Sequence, residues 1–391
     1  MVSKFLPLVV LFFYFLFFLN SPVSAGTVSK FLGNTDIGYS GSYGDFADYW
    51  TQITPDSSGK WKQMENSQGQ FDWTRSDQLY AFARAHNILV KQHTFIWNLD
   101  QPDWLINLSA SQQKSAVETW MQAYCQRYPD VHFIDVVNEP LHQAPFYKNA
   151  LGGDGATGWD WVIWSYQKAR QYCPNAKLLI NEYGTMRDSN WRTQLKQIIQ
   201  LLKDRNLIDG VGLQAYTQEL ANAPPVTVKA ALDDYWNMGI SIYISELSIS
   251  NAGDAQQLSI YQQYFPVFWQ HPGVQGVTLW GYRQGYMYES DAYLLRSDGS
   301  KRPAFSWLMS YVASLIIMPS PTVAPTFTPT PTPTPKLGDA NGDGHVEETD
   351  YGIWLSHFGQ TVSGGRTVGD FDGNGTVDGV DYSEWLKNYG T

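Results

Sequence analysis

Two glutamates end two apolar runs. One closes His132-Phe133-Ile134-Asp135-Val136-Val137-Asn138-Glu139, ahead of Pro140. The other closes Ile240-Ser241-Ile242-Tyr243-Ile244-Ser245-Glu246, ahead of Leu247. Each run has the length and β-branched content of a buried parallel strand. An ionised carboxyl is costly to bury, so a Glu at the C-terminal end of such a strand faces a cleft. Two converging carboxyls are the minimum set for breaking a glycosidic bond: one protonates the leaving oxygen and the other attacks the anomeric carbon. Either Glu alone reads as a strand-end acid. The pair, with Asn138 directly before the first, reads as a reacting centre.

Such a pair needs a scaffold that brings distant strand ends together. Apolar runs at 31–38, 49–53, 89–97, 133–138, 177–181, 210–215, 241–246 and 276–280 alternate with helix-length stretches. Eight strands so separated predict an α/β fold of the (β/α)8 TIM-barrel type. His93, Glu139, Glu182, Gln214, Glu246 and Trp280 all fall at C-terminal strand ends, the face on which such barrels build their sites.

Composition agrees with this class. Charged residues make up 16% and aromatics 15%, with 16 Trp and 24 Tyr. Aromatic faces suit sugar rings, although a large barrel buries many aromatics as core. A formal net charge of -11 argues against nucleic acid and anionic membrane surfaces as partners. At the N-terminus Lys4 flanks an apolar stretch over 5–19, and Val23-Ser24-Ala25 offers small residues for cleavage. The stretch falls short of the ~20 residues that span a bilayer. Residues 1–25 are therefore expected to be a signal peptide, and the mature chain to be secreted, with no membrane span after cleavage. The cysteines, Cys125 and Cys173, sit near the ends of two helix-like segments. Export permits a disulfide, and two buried free thiols are the alternative.

Residues 26–317 are expected to form the barrel, 318–336 an extended Pro/Thr linker, and 337–391 a separate small module. That module is a repeat at a spacing of 31. Asp339, Asn341, Asp343, Glu347 and Asp350 align with Asp370, Asp372, Asn374, Asp378 and Asp381, and each loop precedes a helix-like tail with Trp354 or Trp385 in register. Oxygen ligands at positions 1, 3, 5, 9 and 12 with Gly at 6 (Gly344, Gly375) are what Ca2+ requires, so two Ca2+ sites are expected. So small a module has little core, and Ca2+ would help to hold it folded.

The tail resembles the type I dockerin family over nearly its full length, in its paired loops, Asp at position 12 and loop–helix order. The resemblance implies an all-α calcium-binding module whose partner is a cohesin domain of a scaffold or cell-surface protein. Positions 10 and 11, which often carry Ser/Thr in the family, are Glu348-Thr349 and Gly379-Val380 here.

Residues 26–311 resemble glycoside hydrolase family 10, the family of secreted xylanases. The motifs are Lys60-Trp61 with Glu65, Ser67-Gln68-Gly69-Gln70-Phe71, His93-Thr94-Phe95-Ile96-Trp97, Gln101-Pro102 with Trp104, Asp135-Val136-Val137-Asn138-Glu139, Ser245-Glu246-Leu247 and Leu279-Trp280-Gly281. The resemblance implies a retaining endo-1,4-β-xylanase with no cofactor for catalysis. It makes Glu139 the general acid/base and Glu246 the nucleophile. The acid must hold a proton when it works, and a negative partner beside it favours that. The resemblance also implies a substrate-binding set of Lys60, His93, Trp97, Asn138, Gln214, Tyr216 and Trp280, with Asn138 on the sugar 2-hydroxyl and Gln214 near the nucleophile. Trp61 and Trp97 also read as packing residues, and Glu182 falls outside the catalytic pair.

The chain departs from the family pattern in four places. Asp56-Ser57 stands for Glu-Asn, and Asn98-Leu99-Asp100 for His-Ser-Gln. Tyr216 and Ser248 replace a His and an Asp that flank the nucleophile in many members, which predicts an acid limb at higher pH than in members with that pair. Tyr286 or Tyr288 stands for the last active-site Trp. The expected substrate is xylan. The same barrel acting on mixed-linkage glucan or 1,3-xylan, and a non-catalytic glycan-binding subunit, are the alternatives.

Overall fold

The computed structural model describes residues 30–36, 43–316 and 336–391. The expected signal peptide and nearly all of the linker lie outside them. The chain divides into two compact units, residues 1–318 and 319–391.

In the first unit eight parallel strands close in sequence order into a barrel. They are β1 Phe31–Thr35, β2 Gln52–Thr54, β3 Leu89–Ile96, β4 Phe133–Asn138, β5 Lys177–Glu182, β6 Gly210–Tyr216, β7 Ser241–Ser248 and β8 Val274–Leu279. Around them run α1 Thr74–His86, α2 Ala110–Arg127, α3 Asp160–Tyr172, α4 Ser189–Lys203, α5 Pro225–Trp236, α6 Asp254–Gln270 and α7 Pro303–Ile316. Every expected strand region contains a strand, and the ends differ. β7 runs two residues past Glu246, because Ser248 still faces the buried interior. β2 starts later than expected, because Tyr49 ends a short helix and Trp50 is its buried C-cap.

Most aromatics are packing. Trp61 is buried, stacks on Trp120 with centroids 6.0 Å apart, and donates Nε1–H to Glu65 Oε2 at 2.7 Å. Cys125 in the last turn of α2 and Cys173 at the C-cap of α3 form a disulfide, with Cα atoms 5.3 Å apart. The bond is reachable because Cys173 lies just beyond the helix, where the chain turns toward β5. Among the described residues no helix is long and apolar enough to cross a membrane.

The second unit holds α8 Glu348–His357 and α9 Gly379–Asn388. Its small core is Ala340, Val346, Trp354, Phe371, Val377 and Trp385. The repeat is visible in the bonding. Trp354 Nε1 donates to the Asp378 carbonyl and Trp385 Nε1 to the Glu347 carbonyl, both at 2.9 Å.

Candidate active site

The C-terminal strand ends open into a cleft of about 820 Å³. Glu139, Glu246, Lys60, His93, Trp97, Asn138, Gln214, Tyr216 and Trp280 all line it. Strand irregularities aim several of these side chains. β6 and β7 slip in register between Leu213 and Gln214, which sets Gln214 opposite Glu246; such slips re-aim side chains. Glu139 itself sits at φ 54°, a left-handed conformation rare for a residue with a Cβ. Three contacts hold it there: its N–H donates to the Asn181 carbonyl at 2.8 Å, and its carbonyl takes the N–H groups of Gln143 at 2.6 Å and His142 at 3.1 Å.

The two carboxyls have different surroundings. Glu139 is half-buried, and its oxygens accept from Gln214 Nε2 at 2.9 Å and Trp97 Nε1 at 3.0 Å. Gln214 is thus paired with Glu246 in register while its amide reaches Glu139. Trp97, read from sequence as packing or binding, holds a glutamate oxygen. Glu246 is 4% exposed. It accepts from Tyr216 Oη on one oxygen at 2.6 Å and from Asn181 Nδ2 on the other at 2.7 Å. Burial pushes Glu246 up to about 7; the Tyr216 bond and the Lys91 and Lys60 ammoniums oppose the rise, and the charge of Glu139 adds to it. Tyr216 is driven well above the usual phenol range by burial and then by Glu246, so it stays a protonated donor.

Asn181 was not anticipated from sequence. Its amide also donates to Asn138 Oδ1 at 2.7 Å, and its oxygen takes the Ser245 hydroxyl. It therefore orients Asn138 and Glu246 together. Gly212 on the neighbouring strand makes room, since a Cβ there would lie 2.5 Å from Asn181 Oδ1. Glu182, beside it, is fully buried and points elsewhere. It accepts from His142 Nδ1 and from the Leu141 and Tyr183 N–H groups, each at 2.9 Å, and so fixes the loop after β4.

Beneath the cleft lies a buried triad. Asp135 meets Lys91 at 3.0 Å and His93 Nδ1 at 2.8 Å. Burial opposes its ionisation, but Lys91 and His93 outweigh that and hold Asp135 below the usual carboxylate range. Burial and then the Lys60 charge push His93 down to about 3. The ring is neutral, Nδ1–H donates to Asp135, and Nε2 is left as an acceptor for a hydroxyl. Lys60 is buried, and its ammonium lies 4.6 Å from the centre of the Trp97 ring.

Tyr216 reaches Glu246, whereas Ser248 Oγ donates to Glu289 Oε2 at 2.6 Å. Tyr286 and Tyr288 also line the cleft, exposed by 59% and 80%.

In the second unit Asp350 and Asp381 are fully buried and take matching backbone N–H groups: Ala340, Asn341 and Glu347 in one loop, Phe371, Asp372 and Asp378 in the other. Glu347 and Asp378 are helix N-caps. Ligand atoms of Asp370, Asp372 and Asp381 lie within 4.8 Å of one another, and Asp370 Oδ1 is buried without a partner. An orphaned carboxylate oxygen inside a ring of hard oxygens fits a bound Ca2+.

The sequence profile of glycosyl hydrolase family 10 matches residues 30–311. Endo-1,4-β-xylanase B of Cellvibrio japonicus (strain Ueda107) is 43% identical over 286 residues, 72% of this chain and 45% of that protein. Endo-1,4-β-xylanase 2 of Arabidopsis thaliana is 27% identical over 258 residues, 63% of this chain and 23% of that protein. The chain thus spans less than half the length of either curated relative. A solved structure described as GH10 from Paenibacillus barcinonensis superposes with a TM-score of 0.65 at 23% identity, covering 75% of this chain and 97% of that one. At that identity it speaks for the barrel fold.

Proposed function

The chain belongs to glycosyl hydrolase family 10, and from that premise we propose that it is a secreted, retaining endo-1,4-β-xylanase carrying a C-terminal dockerin. The observation that carries this reading is the pairing of Glu139 and Glu246 in one cleft, each held by two neutral donors, beside a buried Lys60.

In the first step a Glu246 oxygen attacks the anomeric carbon while Glu139 gives its proton to the departing glycosidic oxygen. The glycosyl–Glu246 ester forms and the aglycone leaves as an alcohol. In the second step Glu139 takes a proton from water, the hydroxyl attacks the same carbon, and the Glu246 carboxylate departs. Tyr216 and Asn181 steady that carboxylate as nucleophile and as leaving group. Trp97 and Gln214 steer Glu139 in both of its roles. Asn138, turned by Asn181, faces the sugar 2-hydroxyl. Lys60 and His93 Nε2 take the remaining hydroxyls, and the Trp280 face walls the ring. Catalysis uses no cofactor.

The second unit is read as a dockerin. Asp339, Asn341, Asp343, Glu347 and Asp350 would hold one Ca2+, and Asp370, Asp372, Asn374, Asp378 and Asp381 the other. Ca2+ held there would neutralise the clustered carboxylates and brace the loops. The partner is a cohesin domain of an extracellular or cell-surface scaffold. Reducing-end release from xylan, mixed-linkage glucan and 1,3-xylan tests the activity. Xylan should be cleaved far faster than the others. A preference for either alternative glycan, or inert behaviour on all three, would overturn it.

A further inference from the structure

Several carboxylates in the cleft wall have no role in the steps above, and Glu289 is one of them. Glu289 lies in the loop after β8 and accepts from Ser248 Oγ at 2.6 Å and Ser250 Oγ at 2.8 Å. Side chains two residues apart on a strand share a face. Glu246 and Ser248 therefore stand in one row along β7, and Ser250 continues past its end. The nucleophile sits at the foot of this row and the Glu289 clasp at its top.

Among the described residues, the hydrogen bonds that tie residues 285–290 to another element both run through this carboxylate. The other bonds of the loop anchor it further out. Arg283 pairs with Asp45 before the stretch, and Asp291 Oδ2 takes the Asn251 N–H at 2.7 Å after it. Between these anchors lie Tyr286 and Tyr288, large rings left open to the cleft. Exposed rings of this size on a cleft wall match the apolar face of a pyranose. They can serve only if the backbone that carries them is already in place, because ordering a loop on binding subtracts from affinity.

We propose that Glu289, clasped by Ser248 and Ser250, is a positioning residue that holds Tyr286 and Tyr288 as a stacking platform for a neutral xylosyl unit of the substrate chain. The proposal rests on the glycan-cleaving reading and names a determinant of substrate binding within that site. The Glu289 carboxylate bonds to the two serines and not to either reacting carboxyl, so its loss should act on binding more than on bond breaking.

The test uses the full chain with xylohexaose, comparing Glu289→Ala, Glu289→Gln and the double variant Ser248→Ala/Ser250→Ala. Wild-type cleavage of xylohexaose secures the underlying reading; a wild type that leaves it intact would sink that reading and this one with it. Given cleavage, Glu289→Ala should raise KM by about tenfold, the equivalent of ~1.4 kcal/mol, with a much smaller change in kcat. The serine pair should give the same split, and joining it to Glu289→Ala should add little, as for groups that share one interaction. Glu289→Gln, whose amide can accept from one serine and donate to the other, should recover most of the loss. The serine pair buries no charge and decides the matter should Glu289→Ala fail to fold. A wild-type KM in the serine pair, or a fall in kcat at unchanged KM, would overturn the proposal.

Discussion

Removing one hydroxyl with Tyr216→Phe should move the acid limb of the pH profile upward. In the proposed mechanism Glu246 attacks as the anion, and burial has already raised it to about 7 against the pull of the Tyr216 bond. The phenol sits 2.6 Å from the carboxylate and remains protonated, so it is a fixed neutral donor. A hydrogen bond to a charged group contributes about 1.5–3 kcal/mol, and 1.36 kcal/mol corresponds to one pH unit. Its loss should raise the acid limb by about one to two units, since Asn181, Lys91 and Lys60 remain. The assay is kcat/KM against pH on an aryl β-xylobioside, which reads the free protein's ionisations. On the acid side the variant should fall about 10- to 100-fold below wild type, with a much smaller gap on the plateau. An acid limb that stays put, or moves down, would refute the reasoning, because it would mean that Tyr216 does not stabilise the Glu246 anion.

Glu246→Gln should stabilise the barrel above pH 7. The folded protein holds this proton from 4.5 up to about 7, so wild-type stability falls as pH rises through that window, by up to about 3 kcal/mol; thermal melts should show a gap at pH 8 that closes below pH ~4.5. Chelating Ca2+ should unfold residues 337–391, seen as a change in Trp354 and Trp385 fluorescence, while the rate on soluble xylan changes little; loss of that rate would contradict the expectation that the module folds apart from the barrel. Ser248→Asp should lower the melting temperature at pH 8, because it sets a second carboxylate against Glu289, and adding Glu289→Gln should restore it. An unchanged melt for Ser248→Asp would contradict the clasp.

What the sequence made legible follows from how each feature is encoded. Strands such as β4 and β7 announce themselves as apolar β-branched runs, and their closing glutamates stand out because a carboxyl there needs a cleft. Strand ends blur where polar residues stay inside the barrel, as Ser248 does. Asn181 was hidden because it stands directly before Glu182, the more conspicuous strand-end acid. An Asn in the last two residues of a buried strand, on the strand that follows the Asn138-Glu139 pair, was the available signal. Gln214's bond to Glu139 depends on a slip in strand register that no local pattern records. Glu289 lies 43 residues beyond Glu246 in an aperiodic loop, and only the pairing of β8 beside β7 brings it to Ser248. The disulfide depended on where α3 ends.

The proposed mechanism requires Glu246 to form a covalent bond to the sugar. A 2-deoxy-2-fluoro-β-xylobioside with an activated leaving group tests it most directly, because the fluorine slows both oxocarbenium-like steps while the good leaving group preserves the first. Intact mass should rise by one fluoroxylobiosyl unit as activity is lost, and peptide mapping should place the label on Glu246. A label on Glu139 or Glu182, or an unlabelled protein inactivated all the same, would contradict the assignment.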